Sequence, residues 1–483
     1  MTDRAALQPF PPGTVLVPGD DVVTRNRGEV LIGGAPLRIL RLRAAGAGLV
    51  RRWFGGEPVG EARAHQQLAR RLVDAGIAEP QPPTGAGSHL GVTVVIPVKD
   101  DPDGLTRTLA ALRAEPDGPA VIDRIVVVDD GSARPVTVTG PDLTVLRNDR
   151  PTGPGPARQK ALGEVASELV AFVDAGVEVG PADLSAIRDD LADRTVVAVA
   201  PRVLSRPADH PVGRYEQRRS ALDLGPTPSI VAPGRLVSYV PTACMVTRVE
   251  ALERIGGFDP GLRFGEDVDL VWRLGRIGTV RYRPAVTVEH PARPTLAAFA
   301  AQRLAYGSSA APLAARHGDA VTPLAVSPWS LLIAALAIAG RPAAAIGTGI
   351  GTGLLLRPKI APLPDLTVEA LALTGRGHWF GAQACLTAVA RNWWPVTLAA
   401  GLFLPRHRRR MIALLAAAFG RRLLDGPSEP AAAVSDLTLG AIDDLAYGLG
   451  VWRGAIEHRS ARALRPVLLS WPGRSAASTD PAA

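Results

Sequence analysis

Three acidic side chains stand close together in the sequence, at a point where they could take a proton from a hydroxyl group. Glu266, Asp267 and Asp269 open a segment whose apolar residues recur at helical spacing, and residues 255–259 (IGGFD) precede it. A carboxylate beside a substrate can act as a general base. Acids also suit a helix N-terminus, which would explain one or two of the three without catalysis. That simpler explanation does not account for the preceding Gly-Gly-Phe-Asp.

Further acids follow two apolar runs that are typical of buried strands. Asp129 and Asp130 come after residues 125–128, and Asp174 comes after residues 169–173. Paired carboxylates at a strand end can accept hydrogen bonds from ribose hydroxyls or a base N–H. A single carboxylate can hold a divalent cation that bridges phosphates. Each of these acids could equally cap the next turn, so both explanations stay open.

A loop rich in Gly and Pro leads into a helical segment with two cations at residues 153–160 (GPGPARQK). Arg158 and Lys160 lie in its first turns, where positive charge opposes the helix dipole unless an anion lies nearby. A diphosphate would supply such an anion. The alternative is a surface loop with solvated charges. Asn148 lies shortly before this loop.

The apolar runs alternate with helical segments over residues 92–320, which predicts an α/β domain with a mostly parallel sheet covered by helices. Ligands of such sheets bind at the carboxyl ends of the strands, and the polar clusters follow the strands at those ends. Pro97, Val98 and Lys99 follow the first run, where the chain exposes backbone groups at the same edge.

The first 80 residues predict a small separate module. Strand-like pieces at residues 14–17 and 29–32 precede two helical segments, the first of which begins at Leu37. This order suits a winged-helix-like module. Residues 81–91 are rich in Pro and Gly and are interpreted as a linker.

Residues 321–483 contain uncharged apolar stretches, none of which reaches the roughly 18 to 20 apolar residues of a clear membrane-spanning helix. A basic cluster at residues 406–410 (RHRRR) lies beside them. Such clusters favour an anionic cytoplasmic leaflet, so we expect an apolar helical region that associates with a membrane. The alternative is an Ala-rich helical domain with a solvated arginine patch.

Composition excludes several other classes of protein. The 483-residue chain has 54 Lys and Arg against 46 Asp and Glu, a net charge of +8, and 47% hydrophobic residues, so it is not a disordered chain. Its 2 Cys exclude a disulfide framework or a Cys-rich zinc site and indicate a reducing compartment. We expect no secretory signal. No aromatic stripe accompanies the positive charge, which argues against nucleic-acid binding.

The order of the motifs resembles glycosyltransferase family 2, inverting enzymes with a GT-A nucleotide-sugar-binding fold. The resemblance covers about residues 92–290 and rests on IPVKD, VVVDDGS, GPARQKA, FVDAG, IGGFD and FGEDVDLVWRL. It implies a donor usually linked to uridine diphosphate, and it implies that Asp267, beside Glu266, takes the proton of the acceptor hydroxyl. The implied donor-binding residues are Pro97, Val98, Lys99, Asp129, Asp130, Asn148, Arg158 and Asp174.

The resemblance also implies a divalent cation, Mg²⁺ or Mn²⁺, with Asp174 as the first acid of the metal motif. The family usually carries a second acid two residues later, where this chain has Gly176. His290 stands where some GT-A enzymes place a further metal or phosphate ligand, although a lone His is more often structural. Mg²⁺ is often held by one or two carboxylates plus phosphates. A candidate ligand set therefore consists of Asp174, the phosphates and either Glu178 or His290.

Over its whole length the chain resembles the mycofactocin-system glycosyltransferases of actinobacteria. Residues 302–310 (QRLAYGSSA) and 316–318 (RHG) add to this resemblance, and residues 14–78 are similar to PqqD-like peptide-recognition modules. The resemblance implies that glucose passes from UDP-glucose to a peptide-derived redox cofactor or its precursor as a β-1,4-linked chain. We expect this at the cytoplasmic face of the plasma membrane. Candidates for the acceptor side are Trp272, Arg273 and Arg303. The alternative explanations are helix packing for Trp272 and solvated charge for the two arginines.

Other functions stay open at this point. A family 2 enzyme could act on a lipid or polysaccharide acceptor. A non-catalytic sugar-nucleotide-binding scaffold would explain Gly176, but the intact Glu266 and Asp267 argue against it. A nucleotidyltransferase of the same fold usually has a Gly-rich loop after the first strand, whereas residues 97–100 here are PVKD.

Overall fold

The computed structural model describes residues 8–114, 121–360, 366–423 and 430–469. It forms two compact units that divide between Ala292 and Arg293. The N-terminal module and the predicted α/β domain up to Ala292 belong to the same unit. The second unit begins earlier than the predicted boundary at residue 321, so that it includes residues 293–320.

The N-terminal module combines two small antiparallel sheets with two helices. β2, β3 and β4 form one sheet, and β1 pairs with β5 in the other. The segment after Leu37 is strand β4 rather than the start of the predicted helix, because Leu40 pairs with the buried Leu31 across the sheet. The elements are β1 (Val15–Pro18), β2 (Val23–Arg25), β3 (Val30–Gly33), β4 (Arg38–Arg41), α1 (Ala44–Phe54), α2 (Arg63–Asp74) and β5 (Ala78–Gln81).

The module is fixed to the rest of its unit by charged contacts. Arg70 donates two hydrogen bonds to the carboxylate of Asp193, at 2.6 and 2.9 Å. The segment predicted as a linker is also held, because the amides of Gly85 and Gly87 donate to Asp189 at 2.8 and 2.9 Å. Both contacts hold residues of the N-terminal part of the chain against residues 189–193 of the neighbouring domain.

An eight-stranded sheet forms the centre of the second part of this unit, in the order β11-β13-β10-β12-β9-β6-β7-β8. Pairings among β6, β7, β8 and β9 and between β10 and β13 are parallel, whereas β11 and β12 run antiparallel to their neighbours. The predicted mostly parallel sheet is therefore confirmed. The elements are β6 (Val92–Val98), α3 (Pro102–Leu112), β7 (Ile122–Asp129), β8 (Leu143–Arg147), α4 (Pro154–Ala161), β9 (Leu169–Val173), α5 (Pro181–Asp190), β10 (Val196–Ser205), α6 (Pro211–Arg219), β11 (Ser229–Ile230), β12 (Cys244–Arg248), α7 (Val249–Ile255), α8 (Glu266–Leu274) and β13 (Thr279–His290).

Apolar residues on both faces of the sheet explain why its strands have continuous hydrophobic runs. Val94 and Ile96 point into one buried core, and Val95 on the same strand points into the other. Helices α3 and α5 cover the first face, and α4 and α8 cover the second. A strand buried on both sides needs apolar residues throughout, whereas a half-buried strand alternates.

The second unit is helical. Its elements are α9 (Leu296–Ser308), α10 (Ala310–His317), β14 (Ala325–Val326), α11 (Pro328–Ile338), α12 (Pro342–Ile360), α13 (Leu366–Ala388), α14 (Trp394–Phe403), α15 (Arg408–Gly420), α16 (Pro430–Glu457) and β15 (Val467–Leu468). Helix α9 lies against α16 at close range, since a Cβ at Gly307 would be 2.0 Å from the backbone oxygen of Tyr447. This packing explains why residues 293–320 belong to the second unit.

Among the residues that the structure describes, we find no helix with both the length and the apolar character needed to cross a membrane.

Candidate active site

The carboxyl ends of three neighbouring parallel strands place the predicted site residues at one edge of the sheet. Val98 at the end of β6 pairs with Asp129 at the end of β7, and β9 lies on the other side of β6. Asp130 then donates its backbone N–H to the Val98 carbonyl at 2.8 Å. Lys99 follows β6 and is exposed, and Asp174 follows β9. The sheet therefore brings these residues to one rim, as the sequence predicted.

Asp129 and Asp130 organise the loop that follows β7. The buried carboxylate of Asp129 accepts hydrogen bonds from the amides of Ser132 and Val136, at 2.9 and 3.1 Å. It also forms an ion pair with Arg147. Burial alone would raise the pKa of Asp129, but these bonds hold it below its ordinary value. A nucleoside at this position would therefore contact an Asp129 carboxylate that already accepts hydrogen bonds from the loop after β7.

Asp130 is engaged in the same way on the other side of the turn. Its carboxylate accepts from the amides of Thr152 and Gly153, at 2.9 and 2.8 Å, and from the Asn148 side chain at 2.8 Å. Burial raises the pKa of Asp130, and these donors lower it below its ordinary value. Lys160 donates to the Asn148 side chain at 3.0 Å. Nucleoside binding by Asp129, Asp130 and Asn148 stays a prediction, and the structure gives these residues a loop-ordering role.

Arg158 is buried between two carboxylates. Its guanidinium donates to Asp174 and lies 3.5 Å from the Oε1 atom of Glu266. Burial by itself lowers the pKa of Arg158, but Asp174 and Glu266 raise it above its ordinary value. We predicted Arg158 as a partner of a diphosphate, whereas here it joins the end of β9 to the start of α8. Buried charges need such pairing, because an unpaired ion in the interior is very costly.

Helix α4, which carries Arg158, also holds the loop before α8. The side-chain oxygen of Gln159 accepts a hydrogen bond from the Phe258 amide at 2.7 Å. A Cβ at Gly257 would stand 2.0 Å from that oxygen, and a Cβ at Gly155 would stand 3.0 Å from the Cγ atom of Glu266. The two glycines thus allow close approach of α4 to the loop before α8 and to the first turn of α8. Sequence reasoning missed Gln159, although the unexplained Gly-Gly-Phe-Asp was a signal for such a contact.

Glu266 and Asp267 begin α8 directly after Gly265, whose φ of +76° sets the turn. Burial, followed by the neighbouring charge of Asp267, raises the pKa of Glu266 to about 7. Burial also raises the pKa of Asp267, whose Oδ1 atom accepts from the Val268 amide at 2.8 Å. Glu266 is buried, whereas Asp267 is half-buried. Carboxylates with raised pKa values are better proton acceptors near neutral pH, as a general base requires.

The turn after β9 lies against the end of β13. Gly176 has a φ of +91°, and a Cβ there would be 2.9 Å from the Cγ atom of Pro291. Glu178 donates its amide to the Glu289 carbonyl at 3.1 Å, which continues this contact. Asp174 and His290 therefore flank one turn, although they lie 116 positions apart in sequence. A second acid at position 176 would strain the backbone and require Pro291 to shift.

These residues match the ligands of a divalent cation in type. Asp174 offers a carboxylate that is 30% exposed, and His290 offers an imidazole whose Nδ1 atom lies 2.8 Å from the Pro291 carbonyl. One carboxylate, one imidazole and phosphate oxygens are a reasonable donor set for Mn²⁺ or Mg²⁺. Glu178 pairs with Arg206 at 2.5 Å. Within the described residues, no three His, Cys, Asp or Glu side chains group closely enough to hold a metal ion.

The predicted acceptor-side residues are held by the protein. Trp272 donates its indole N–H to the Ser238 carbonyl at 2.6 Å, and Arg273 donates to Asp269 at 2.7 Å. In the second unit, the buried Arg303 lies over the Phe299 ring at 4.6 Å and 3.4 Å from Asp443. Arg303 is thus not the solvated charge of the simpler explanation. The acceptor role of all three residues stays a prediction.

Comparison with known proteins shows which family the chain resembles. The family model "Glycosyl transferase family 2" matches residues 93–256, a span that ends before Glu266. The chain is 38% identical over 463 residues to the proteins named pre-mycofactocin glycosyltransferase in Mycobacterium tuberculosis strains CDC 1551 and H37Rv. Each match covers 91% of this chain and 94% of the relative.

Solved structures show weaker likeness. A mannosyltransferase from Pyrobaculum calidifontis, in complex with GDP-Man and Mn²⁺, is 18% identical with a TM-score of 0.40, covering 75% of this chain and 86% of the other. GalNAc-T7 with UDP, GalNAc and Mn²⁺ is 18% identical with a TM-score of 0.32, covering 48% and 53% of the two chains. On the strength of the sequence match, this chain is a glycosyltransferase with the GT-A fold and belongs, within family 2, to the family of the pre-mycofactocin glycosyltransferases.

Proposed function

We propose that the chain transfers glucose from UDP-glucose to a pre-mycofactocin acceptor, with Asp267 as general base. The names of the mycobacterial relatives support this acceptor. The observation that carries the proposal is the position of Arg158, which contacts both Asp174 and Glu266. This contact gathers the donor-side strand end and the first turn of α8 into one cluster.

The transfer is a single displacement. The acceptor hydroxyl oxygen forms a bond to the anomeric carbon while the bond from that carbon to the diphosphate breaks. The diphosphate leaves with the bonding electron pair, and the hydroxyl proton passes to a carboxylate oxygen of Asp267. Attack opposite the leaving group inverts the anomeric centre, so an α-linked donor gives a β-linked product. Repetition on the newly added glucose would extend a β-1,4-linked chain.

Asp267 suits the role of base better than Glu266. Glu266 is buried and lies 3.5 Å from a nitrogen of Arg158, so its carboxylate is partly committed to an internal ion pair. Asp267 is half-buried, and Arg158 interacts with its charge less strongly than with the charge of Glu266. Glu266 and Arg158 together would set the electrostatic environment of the base.

The donor would lie along the rim formed by β6, β7 and β9. Pro97, Val98 and Lys99 would contact the nucleoside, together with the loop that Asp129 and Asp130 order. Asp174 and His290 would hold a divalent cation against the diphosphate. When bound, such a cation neutralises charge on the leaving diphosphate. Lys99 is exposed at the same rim and adds positive charge there.

The remaining parts of the chain would serve the acceptor and its location. We propose that the module at residues 14–78 recognises the peptide-derived acceptor, with Trp272, Arg273 and Arg303 as acceptor-side residues. We also propose that the enzyme works at the cytoplasmic face of the plasma membrane. Support for that location comes from the exposed arginines at residues 406–410 and from the many exposed apolar side chains of the second unit.

An Asp267→Asn variant tests the proposal. With UDP-glucose and the acceptor supplied, we expect kcat to fall by at least about a hundredfold, since general base catalysis contributes on the order of a hundredfold or more. Binding of the donor, measured by isothermal titration, should change little. Asp142→Asn is a matched control, because Asp142 is exposed and lies at the amino end of β8, away from the carboxyl ends of the strands. Turnover of Asp267→Asn near the wild-type level would refute the assignment of the base.

A further inference from the structure

Two short helices in the second unit form a hairpin with an exposed apolar tip. Helices α14 and α15 are joined by residues 404–407. They pack closely at Gly401, where a Cβ would stand 3.3 Å from the Cβ atom of Met411. The small residue thus lets the two helices approach each other.

The tip carries three consecutive large apolar residues. Leu402, Phe403 and Leu404 are 61%, 80% and 51% exposed. Among the described residues, no large apolar side chain is more exposed than Phe403. Contiguous apolar patches on soluble surfaces mark contacts with another molecule. The tip is therefore a candidate surface for contact with another molecule.

Arginines surround this apolar tip. Arg406, Arg408, Arg409 and Arg410 are exposed, and residues 394–420 contain no acid. The turn between α11 and α12 lies beside them, because a Cβ at Gly340 would be 4.0 Å from a guanidinium nitrogen of Arg410. That turn adds the exposed Arg341. Two connections thus contribute positive charge to one end of the helical unit.

We propose that this tip binds an anionic lipid surface, with Phe403 and Leu404 entering the acyl boundary and the arginines contacting headgroup phosphates. The inference rests on the proposed membrane location and names the surface responsible for it. Long arginine side chains can keep their charge among headgroups while their stems cover apolar surface. A second copy of the chain fits the tip poorly, because a symmetric contact would bring the two arginine clusters together.

Sedimentation of the full chain with vesicles tests this surface. We use vesicles of phosphatidylglycerol and phosphatidylcholine, and vesicles of phosphatidylcholine alone. Wild-type protein should bind the anionic vesicles more tightly. Phe403→Glu should lower the partition coefficient about tenfold or more, since it removes a large apolar group that would enter the lipid and adds a negative charge. A triple Arg408→Gln, Arg409→Gln, Arg410→Gln variant should lose most of the preference for anionic vesicles.

Matched controls use another part of the same unit. Ile456→Glu replaces an apolar residue that is 72% exposed on α16, and glutamines at the exposed Arg453, Arg459 and Arg465 remove the same number of charges. Both controls should bind vesicles like the wild type. Equal binding by Phe403→Glu would overturn the tip assignment alone, whereas a wild-type chain that ignores both vesicles would also refute the membrane location. Light scattering without lipid should give equal masses for wild type and Phe403→Glu, and a dimer lost in the variant would overturn the lipid assignment.

Discussion

Pro291 lies so close to Gly176 that a Cβ at position 176 would stand 2.9 Å from its Cγ atom. Gly176 also has a φ of +91°, which residues with a side chain rarely adopt. An acid at this position, where the metal motif has its second acid, would therefore strain the backbone and displace Pro291. The departure from the motif is explained by the path of β13, whose end crosses the turn after β9.

Placing an acid at position 176, as the metal motif of the family has, should destabilise the folded chain. We expect Gly176→Asp to lower the free energy of unfolding by about 2 to 4 kcal/mol, from backbone strain and from displacement of Pro291. Urea denaturation measures the change. Gly234→Asp is the control, because Gly234 has a φ of +77° and no atom within 4 Å of its Cβ position. A Gly176→Asp variant as stable as this control would contradict the steric explanation.

Arg158 should matter for both stability and catalysis. Arg158→Met leaves Asp174 and Glu266 without their shared cation, and breaking a buried ion pair costs about 3 to 5 kcal/mol. We expect a large fall in the unfolding midpoint and in kcat, with Arg158→Lys intermediate because one ammonium cannot match the planar fork of a guanidinium. Thermal unfolding and turnover measure the two effects. Arg124→Lys, at an exposed pair with Glu164, should change neither.

Much of the fold followed from the sequence because strands buried on both faces need continuous apolar runs. Residues such as Val94 to Ile96 therefore predicted a covered sheet, and the acids after such runs had to meet at its edge. The segment after Leu37 was misassigned because its leucines suit either a helix or a strand, and only pairing with Leu31 decides between them. The partners of Arg158 could not be predicted, since α4 and α8 are distant in sequence.

Gln159 should be a positioning residue for the loop that leads to Asp267. Gln159→Leu leaves the buried Phe258 amide without its acceptor, which costs about 1 to 3 kcal/mol. We expect lower stability and lower kcat, both measurable on the purified chain. Gln159→Glu keeps an acceptor oxygen and should recover most of the loss. Equal defects in both variants would mean that the hydrogen bond is not responsible.

The raised pKa of Glu266 predicts a stability change with pH. Burial and the charge of Asp267 bring this pKa to about 7 in the folded chain, against an ordinary value of 4.5. The folded chain therefore keeps a proton that the unfolded chain has lost between these two values. This contribution is fully present below pH 4.5 and is lost as the pH rises through 7.

Comparison with Glu266→Gln isolates this contribution. The free energy of unfolding of the wild type should fall relative to that of the variant by about 2 to 3 kcal/mol from pH 4.5 to 8. Urea titrations across this range measure the difference between the two proteins at each pH. Glu253→Gln, an exposed change on α7, should give a constant difference from the wild type. A constant difference for Glu266→Gln as well would mean that Glu266 ionises in the folded chain as it does in water. Burial would then not raise the pKa of Glu266, and it could not explain a raised basicity of Glu266 and Asp267.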